Sequence, residues 1–398
     1  MQHRIVVLGA GYTGAVAAGR LARRLHRADV AITLVNAEPD FVERVRMHQL
    51  AVGQSLRPRP YSEMFAGTGV ELKLAKVTGV DVDRRTVAVL DANGAEELEY
   101  DTLVYALGSG WNDHGVPGVA EHAHEIAGRR GALRLRDRLA GLDAGQPVVV
   151  VGGGLTGLEA VTEIAEARPD LDVALVARGA LGDWLSDKGR GHLRKVFGKL
   201  GITVHEHADV TAVAADRVTA ADGRTIRSAA TVWTAGFAVH PIAEATTLEV
   251  TGTGQIVVDG TMRSVSHPDV YAIGDAAMAM GPGDKPLRMS CASGGFTAWQ
   301  AAEAVAARLT GGKLPHVPIR YFNQCISLGR KEGLIQYVTA DDRAVRSALT
   351  GRLAAVYKEL VCKGAAWSVA NPTFGMPIRR RRVVREAAPA DSAVNAAA

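Results

Sequence analysis

The sequence predicts an α/β protein with two Rossmann-type dinucleotide-binding domains, the second inserted in the first, plus a small α+β C-terminal domain. Three observations support this prediction. A pattern of strand, G-x-G-x-x-G, helix and strand occurs twice, with its glycine clusters at Gly9 and Gly152. Each pattern is followed by short strands and a closing strand with a small-residue turn. The 398 residues are enough for about two or three domains, each with its own core.

The first pattern joins an apolar run at 4–8, the cluster Gly9-Ala10-Gly11-Tyr12-Thr13-Gly14, an Ala-rich helix and a strand at 30–35. In such a cluster the first glycine permits a tight turn, the second lets the backbone approach a diphosphate, and the third lets helix and strand pack closely. The helix N-terminus then offers N–H groups and a positive dipole end to the diphosphate. The flanking strands and helix make the match specific, because isolated matches are expected by chance among 44 glycines.

The second pattern joins a strand at 147–151, the cluster Gly152-Gly153-Gly154-Leu155-Thr156-Gly157, a helix and a strand at 173–176. Short strands are predicted at 70–77 and 85–90 after the first pattern, and at 203–205, 210–214, 217–220 and 224–227 after the second. A later strand ends at Gly274-Asp275, and open α/β sheets bind ligands at such carboxyl ends. An aspartate there accepts a hydrogen bond from a ligand hydroxyl.

Charge and cysteine content exclude several other classes. The 46 Lys and Arg against 42 Asp and Glu give a net charge of +4, which does not indicate a nucleic-acid partner. Cys291, Cys325 and Cys362 form no C-x-x-C or C-x-x-x-x-C pair, so a disulfide framework, a zinc ribbon and a redox dithiol are excluded. We predict no metal site. No stretch approaches the ~18 apolar residues of a membrane span, and the N-terminal apolar run is too short for a signal peptide.

The two clusters and the Gly274-Asp275 turn resemble the two-dinucleotide flavoprotein superfamily, also called pyridine nucleotide-disulfide oxidoreductases. The sequence is most similar to type II NADH dehydrogenases and apoptosis-inducing-factor-like relatives, over residues 1 to about 340. The resemblance implies FAD in the first unit and NADH or NADPH in the second. The implied FAD contacts are Gly9, Gly11, Tyr12, Thr13, Gly14, Asn36, Arg44, Val77, Ala106, Leu107, Gly108, Gly274, Asp275 and Ala292. The implied nicotinamide-dinucleotide contacts are Gly152, Gly154, Leu155, Thr156, Gly157, Arg178 and Gly236.

The resemblance also implies a domain division. The FAD-binding domain spans 1–113 and 236–315, and the NAD(P)H-binding domain spans 114–235. A C-terminal domain with an amphipathic helix spans 316–385, and a disordered tail follows at 386–398.

Three residues are candidates for catalysis. Glu159 matches an acid that the family places near the flavin and nicotinamide rings. His48 and Arg44 stand where the family's chain passes the isoalloxazine, so with Arg46 they form either a cationic edge for the flavin or a solvated basic helix. Cys291 lacks a partner thiol, which favours a small buried residue over a nucleophile.

The second strand of each unit departs from the acid that usually binds a ribose. The first strand ends in Asn36, which can serve as a neutral donor and acceptor. The second is followed by Ala177 and Arg178. Loss of the acid removes a clash with a 2′-phosphate, and an arginine supplies a planar cation for it, so we predict that NADPH is used at least as readily as NADH.

The sequence therefore predicts an FAD-dependent oxidoreductase that passes a hydride from NAD(P)H to FAD and on to a quinone or quinone-like small molecule. The segment 289–299 lacks the A-Q motif usual in type II dehydrogenases, which leaves the acceptor open. The alternatives are a soluble tailoring oxidoreductase of an aromatic metabolite, a ferredoxin-type electron-transfer reductase, and a redox-sensing flavoprotein like apoptosis-inducing factor.

The C-terminal helix decides the predicted location. Leu353, Val356, Tyr357, Leu360, Val361 and Trp367 recur at helical spacing, and arginines follow at 379–382. This helix either lies on a bilayer, with the arginines facing anionic lipid, or packs on the protein body beside a solvated arginine run, and we favour packing. We expect a cytoplasmic homodimer, with peripheral contact at the inner face of the cell membrane if the first alternative holds.

Overall fold

The computed structural model describes residues 1–315, 319–375 and 379–384. The predicted disordered tail at 386–398 lies outside the described residues. The first unit contains β1 (His3–Leu8), α1 (Gly14–Arg24), β2 (Val30–Asn36), α2 (Met47–Ala51), α3 (Tyr61–Met64), β3 (Val70–Leu74), β4 (Lys76–Asp81), β5 (Thr86–Asp91), β6 (Gly94–Glu99) and β7 (Thr102–Tyr105). A short 3-10 helix, Arg44–Arg46, precedes α2.

The main sheet of the first unit is parallel, with the order β19-β7-β1-β2-β3, in which β19 is Val270–Ala272. Ile5, Val7 and Leu8 of β1 are fully buried, because they share one apolar core with α1 and with Val77, Val87 and Val89 of β4 and β5. The predicted strand at 70–77 is wrong as a single strand. It breaks at Ala75, because β3 pairs in parallel with β2 whereas β4 pairs antiparallel with β5 in a separate sheet.

The chain leaves the first sheet after β7 and forms the second unit. Its elements are β8 (Ser109–Trp111), α4 (Val119–His122), β9 (Ala123–Glu125), α5 (Arg129–Ala140), β10 (Pro147–Val151), α6 (Leu155–Ala167), β11 (Asp172–Val176), α7 (Asp187–Leu200), β12 (Thr203–His205), β13 (Val210–Ala214), β14 (Arg217–Ala220), β15 (Thr225–Arg227) and β16 (Ala230–Trp233). A parallel sheet has the order β12-β11-β10-β16-β9. Three of the four short strands predicted after the second cluster, β13 to β15, form an antiparallel sheet, whereas the fourth, β12, joins the parallel sheet instead.

The chain returns to the first unit through β17 (Phe237–Val239), which pairs antiparallel with β8. It continues through β18 (Ile256–Val257), β19, β20 (Ala277–Met278) and the long α8 (Cys291–Thr310), which packs against α1. The predicted insertion of the second Rossmann unit into the first is therefore confirmed. The domain boundaries at 113, 235 and 315 stay predictions.

The C-terminal part consists of the antiparallel sheet β21 (Asn323–Ser327), β22 (Gly333–Val338) and β23 (Ala344–Thr350), followed by α9 (Arg352–Ala370). Helix α9 packs on this sheet, as we favoured, through a narrow stripe that includes Ala354, Cys362 and Ala366. Its large apolar side chains remain exposed, and we call them the outer face of α9. They are Leu353, Val356, Tyr357, Leu360, Val361 and Trp367.

The arginines that follow α9 are exposed, as predicted, and two of them also contact the first unit. Arg382 forms an ion pair with the buried Asp29, with Nε 2.6 Å from Oδ2. Arg380 Nε donates a hydrogen bond to the carbonyl of Ala22, near the C-terminal end of α1. Cations at this end of a helix meet its negative dipole, which explains why the segment lies there.

One apolar cluster joins all three parts of the chain. It contains Met47 and Ala51 of α2, the buried face of α6, and Ile326 and Leu334 of the C-terminal sheet. The first unit, the second unit and the C-terminal part therefore meet around α6, where the candidate site lies.

Candidate active site

The two glycine clusters adopt the same local geometry. Gly9 and Gly152 have positive φ angles of 89° and 124°, which non-glycine residues rarely adopt. A Cβ at Gly14 would lie 1.8 Å from the carbonyl oxygen of Gly9, and a Cβ at Gly157 would lie 1.8 Å from that of Gly152. Only glycine permits each helix to approach its turn this closely.

The middle glycine of each cluster faces open space. A Cβ at Gly11 or at Gly154 would meet no atom of the described chain within 4 Å. Neither α1 nor α6 has a side-chain cap at its N-terminus, whereas the Ser186 side chain caps α7 by accepting from Gly189 N. The first N–H groups of α1 and α6 are thus available to a ligand, and both clusters fit the diphosphate of a dinucleotide.

Three distant segments meet over the first cluster at Thr13. A Cβ at Gly274 would lie 2.9 Å from Thr13 Cγ2, and a Cβ at Gly294 in α8 would lie 2.8 Å from the same atom. Gly274 N donates a hydrogen bond of 3.1 Å to Thr297 Oγ1. The predicted Gly-Asp turn and the N-terminus of α8, with Ala292 as its second residue, therefore close around the first cluster.

Further predicted FAD contacts lie in the turn that follows β7 and in the side chains next to it. A Cβ at Gly9 would lie 2.5 Å from the carbonyl oxygen of Ala106 and 3.2 Å from Leu107 Cα. A Cβ at Gly108 would lie 3.7 Å from Arg44 Nη1, which is itself 3.9 Å from Asp275 Oδ2. The closing turn 105–108, Arg44 and Asp275 are thus brought together beside the cluster.

Tyr12, Val77 and Asn36 have contacts that the sequence did not indicate. Tyr12 packs edge-on against Phe41, with 4.9 Å between ring centroids, and Val77 is buried in the core from strand β4. Asn36 Oδ1 accepts from Ala10 N at 2.9 Å, and Asn36 Nδ2 donates to the Glu38 carbonyl at 2.8 Å. The amide of Asn36 therefore holds the glycine cluster itself.

The second cluster is held by a residue that the sequence analysis missed, Thr234. Its Oγ1 donates to the Val151 carbonyl at 2.8 Å and would lie 2.6 Å from a Cβ at Gly152. The signal for it was the small-residue turn 234–236, in which Gly236 packs against His114. Leu155 and Thr156 form the first turn of α6, and Arg178 is exposed beyond the end of β11.

A buried charged network lies where the three parts of the chain meet. Glu159 Oε1 is 2.9 Å from Lys358 Nζ of α9 and accepts from Ser327 N at 3.0 Å. His48 Nε2 lies 3.3 Å from Ser327 Oγ, and Lys358 Nζ also donates to the Cys325 carbonyl at 3.0 Å. Lys358 and Ser327 were missed as site residues. The available signal was the place of Lys358 in the sequence, midway between two residues of the buried stripe of α9.

This network fixes the charge of each member. Burial lowers the pKa of His48 to about 4, so His48 is uncharged at neutral pH. Burial alone would raise the pKa of Glu159 and lower that of Lys358. Their mutual attraction reverses both effects, so the net pKa of Glu159 lies below its usual range and that of Lys358 above it. The site therefore holds an ion pair whose proton resides on Lys358 Nζ.

Two predicted alternatives are wrong. Arg46 does not belong to a solvated basic helix, because it is buried in ion pairs with Glu43 at 3.1 Å and Glu359 at 3.0 Å. Cys291 is not buried but exposed at the start of α8.

The fold and the two glycine clusters define a two-dinucleotide oxidoreductase. Residues 3–306 match the family model of the pyridine nucleotide-disulphide oxidoreductases, and the chain belongs to this family. It is an FAD- and pyridine-nucleotide-dependent oxidoreductase. Despite the family name, Cys291, Cys325 and Cys362 are free cysteines.

Relatives and solved structures agree with this assignment. An NADH dehydrogenase-like protein of Mycobacterium tuberculosis is 31% identical over 317 residues, covering 73% of this chain and 77% of the relative. A demethylphylloquinone reductase of Synechocystis is 25% identical over 378 residues, covering 89% and 92%. The structure of NDH2 from Plasmodium falciparum superposes with a TM-score of 0.78 at 15% identity, covering 94% of this chain and 97% of that one, which shows the shared fold.

Within the described ranges, no helix combines enough length with enough apolar character to cross a bilayer.

Proposed function

We propose that this enzyme transfers a hydride from NAD(P)H to FAD and passes the electrons to a quinone or quinone-like small molecule. When bound, the flavin supplies the hydride acceptance and the electron transfer. The observation that carries the proposal is the buried Lys358–Glu159 ion pair, 2.9 Å long, where the three parts of the chain meet around α6. Reduction of a quinone to a quinol adds protons to its oxygens, and Lys358 holds a proton at this site.

The chain's own residues divide the work. Gly11, Thr13 and Gly14, with the N-terminus of α1, bind the FAD diphosphate, while Gly154 and Gly157 bind that of NAD(P)H. The glycine geometry of both clusters supports these roles. Glu159 keeps Lys358 protonated and orients it. Ser327 donates to Glu159 through its N and Oγ, and the uncharged His48 contacts Ser327 Oγ. Arg44, with part of its side chain exposed beside Asp275, supplies a second positive charge.

The names of several relatives support a quinone as the acceptor. A type II NADH:quinone oxidoreductase of Mycobacterium tuberculosis is 27% identical over 371 residues, covering 81% of this chain and 76% of the relative. The site of the present chain differs from a dithiol site, because no pair of its cysteines is adjacent in sequence. A small diffusible acceptor that takes protons as well as electrons fits these residues better than a disulfide.

The decisive experiment separates the two half-reactions in a stopped-flow instrument. The yellow protein is reduced anaerobically with NADH or NADPH and then mixed with menadione, a short-chain ubiquinone, ferredoxin or oxygen. We expect fast reoxidation by the quinones. A double variant, Glu159→Gln with Lys358→Met, should still be reduced by NAD(P)H but be reoxidised by quinones at least about tenfold more slowly, since general acid catalysis contributes about 10²–10⁴-fold.

The control for this experiment is Lys363→Met, which removes an exposed lysine of the same helix. It should behave like the wild type in both half-reactions. Fast reoxidation by ferredoxin but not by quinones would refute the proposal in favour of a protein acceptor.

We also propose that the outer face of α9 contacts a membrane surface, where a lipid-soluble quinone would be met. Leu353 and Leu360 are 71% and 63% exposed, and a contiguous apolar helix face of this kind is costly in water. Co-sedimentation with anionic liposomes tests this. The double variant Leu353→Gln and Leu360→Gln should lose binding, whereas Leu90→Gln, which changes an exposed leucine of β5, should not. Undiminished binding of the double variant would refute the role of α9.

Homodimerisation stays a prediction that light scattering can test.

A further inference from the structure

Helix α6 carries a second buried carboxyl group one turn beyond Glu159. Glu163 is only 1% exposed. Its Oε1 accepts a hydrogen bond from Gln54 Nε2, whereas its Oε2 has no hydrogen-bond partner among the described residues. A buried carboxylate oxygen without a partner is costly, and the cost is avoided when the group carries a proton. The position therefore favours an acid that can hold a proton inside the protein.

The surroundings of Glu163 place it between the site and solvent. Glu159 precedes it by one helical turn, and i,i+4 side chains on a helix are neighbours. On the other side lie Glu166, whose Oε2 accepts from Arg330 N, and the exposed side chain of Arg330. The groups that face Glu163 are thus Gln54, Glu159, Glu166 and Arg330.

We propose that Glu163 is the internal proton donor that recharges the Lys358–Glu159 pair after each reduction of the acceptor. This inference rests on the proposed function. NAD(P)H supplies two electrons and one proton, and a quinone takes up two electrons and two protons, so each turnover draws one proton from solvent.

The proposed transfers balance as follows. An N–H bond of Lys358 breaks as an O–H bond forms on the acceptor. The O–H bond of Glu163 then breaks and its proton returns to the pair, and the resulting Glu163 carboxylate takes a proton from solvent near Glu166 and Arg330. The proton affinities favour this direction: burial raises the pKa of Glu163 to about 7, whereas that of Lys358 lies above its usual range.

The test is Glu163→Gln, which keeps the shape of the protonated acid, measured against Glu121→Gln, which changes an exposed glutamate of the same Rossmann unit. Flavin reduction by NAD(P)H should be unchanged in both. In the E163Q variant, the first reoxidation by menadione should stay fast because Lys358 is already protonated. Later turnovers should slow about 10- to 100-fold, which gives a burst that the wild type and E121Q lack.

The pH dependence gives a second signature. The wild-type steady-state rate should fall as the pH rises through about 7, as Glu163 loses its proton, and E163Q should lack this step. A third variant, Gln54→Met, removes a hydrogen bond that lowers the pKa of Glu163, so it should move the step to higher pH.

Unfolding provides a readout that does not depend on activity. Because the native pKa of Glu163 is above its unfolded value, its contribution to stability is present at low pH and is lost as the pH rises through about 7. The melting temperature of E163Q should therefore fall less between about pH 6 and pH 8 than that of the wild type.

An E163Q variant with wild-type turnover, no burst and the same pH profile would overturn the inference alone. A wild-type enzyme that reoxidises with no quinone would overturn the proposed function and this inference with it.

Discussion

The two glycine clusters have nearly the same backbone but different surroundings. In both, the third glycine would place a Cβ 1.8 Å from the carbonyl of the first, and the middle glycine faces open space. In the first cluster, Gly274 and Gly294 pack against Thr13, and Ala10 N donates a hydrogen bond to Asn36 Oδ1. The second is fixed mainly by Thr234 and opens toward the exposed Arg178. The difference fits a first dinucleotide that stays bound and a second that exchanges in each turnover.

The helices after the two clusters also differ. Helix α1 carries Arg23 and Arg24 in its last turn, where Arg24 shares Glu303 with Arg20. Helix α6 instead carries Glu159 and Glu163, both buried. The same motif thus begins one helix with arginines in its last turn and another that carries two buried acids. Four predictions test how far this comparison holds.

The largest expected effect is on the buried pair that distinguishes α6. Lys358→Met leaves the Glu159 charge buried without its partner, so the free energy of unfolding should fall by about 3–5 kcal/mol. The double variant Glu159→Gln with Lys358→Met should recover most of this loss, because neither charge remains. Urea denaturation of the three proteins measures both values. Additive losses in the double variant would mean that the two groups do not interact.

The next effect concerns the third glycines. Gly14→Ala and Gly157→Ala each force a methyl group against backbone, which should cost about 1–3 kcal/mol of stability. Gly14→Ala should also yield protein with little FAD, whereas Gly157→Ala should retain FAD and show a higher KM for NAD(P)H. The flavin absorbance per protein and steady-state kinetics distinguish the two outcomes. Equal FAD loss in both variants would break the assignment of one dinucleotide to each cluster.

A subtler test uses the middle glycines. Because no described atom surrounds their virtual Cβ, Gly11→Ala and Gly154→Ala should leave the stability of the flavin-free protein within about 0.5 kcal/mol. Each should nevertheless weaken its own dinucleotide by at least about tenfold, or about 1.4 kcal/mol, since the methyl group occupies the diphosphate's place. Thermal melts of the apoprotein and titration with each dinucleotide provide the check. Unchanged affinities would show that the open space serves no ligand.

The smallest effect is expected at the open side of the second cluster. Arg178→Ala should raise the KM for NADPH about five- to tenfold, roughly 1 kcal/mol, and leave that for NADH unchanged, because only NADPH carries a 2′-phosphate. Asn36→Ala, at the end of the second strand of the first unit, should instead reduce FAD retention. A KM for NADPH that does not respond to the substitution would refute the role of Arg178.

The parts of the site that could be predicted are those with a local cause. The steric demands on Gly9, Gly14, Gly152 and Gly157 arise within one strand–turn–helix unit, so a short window of sequence carries them. Glu159 was predicted only because it lies next to such a window. Its partners were not, because Ser327 and Lys358 lie far from it along the chain, 168 residues away for Ser327, and nothing near them in sequence indicates an ion pair.

By itself, the sequence determined the two Rossmann units, the insertion of one in the other and the absence of a dithiol, since these follow from glycine spacing, strand order and cysteine positions. Only the tertiary structure decided that α9 brings Lys358 to Glu159 and leaves its large apolar side chains exposed. Helical periodicity gives an apolar face but not the side on which a helix packs, and here a small-residue stripe fits the sheet more closely than the large side chains would. The free energy of burying a charged lysine likewise depends on its partners, and here these come from distant parts of the chain that only folding brings together.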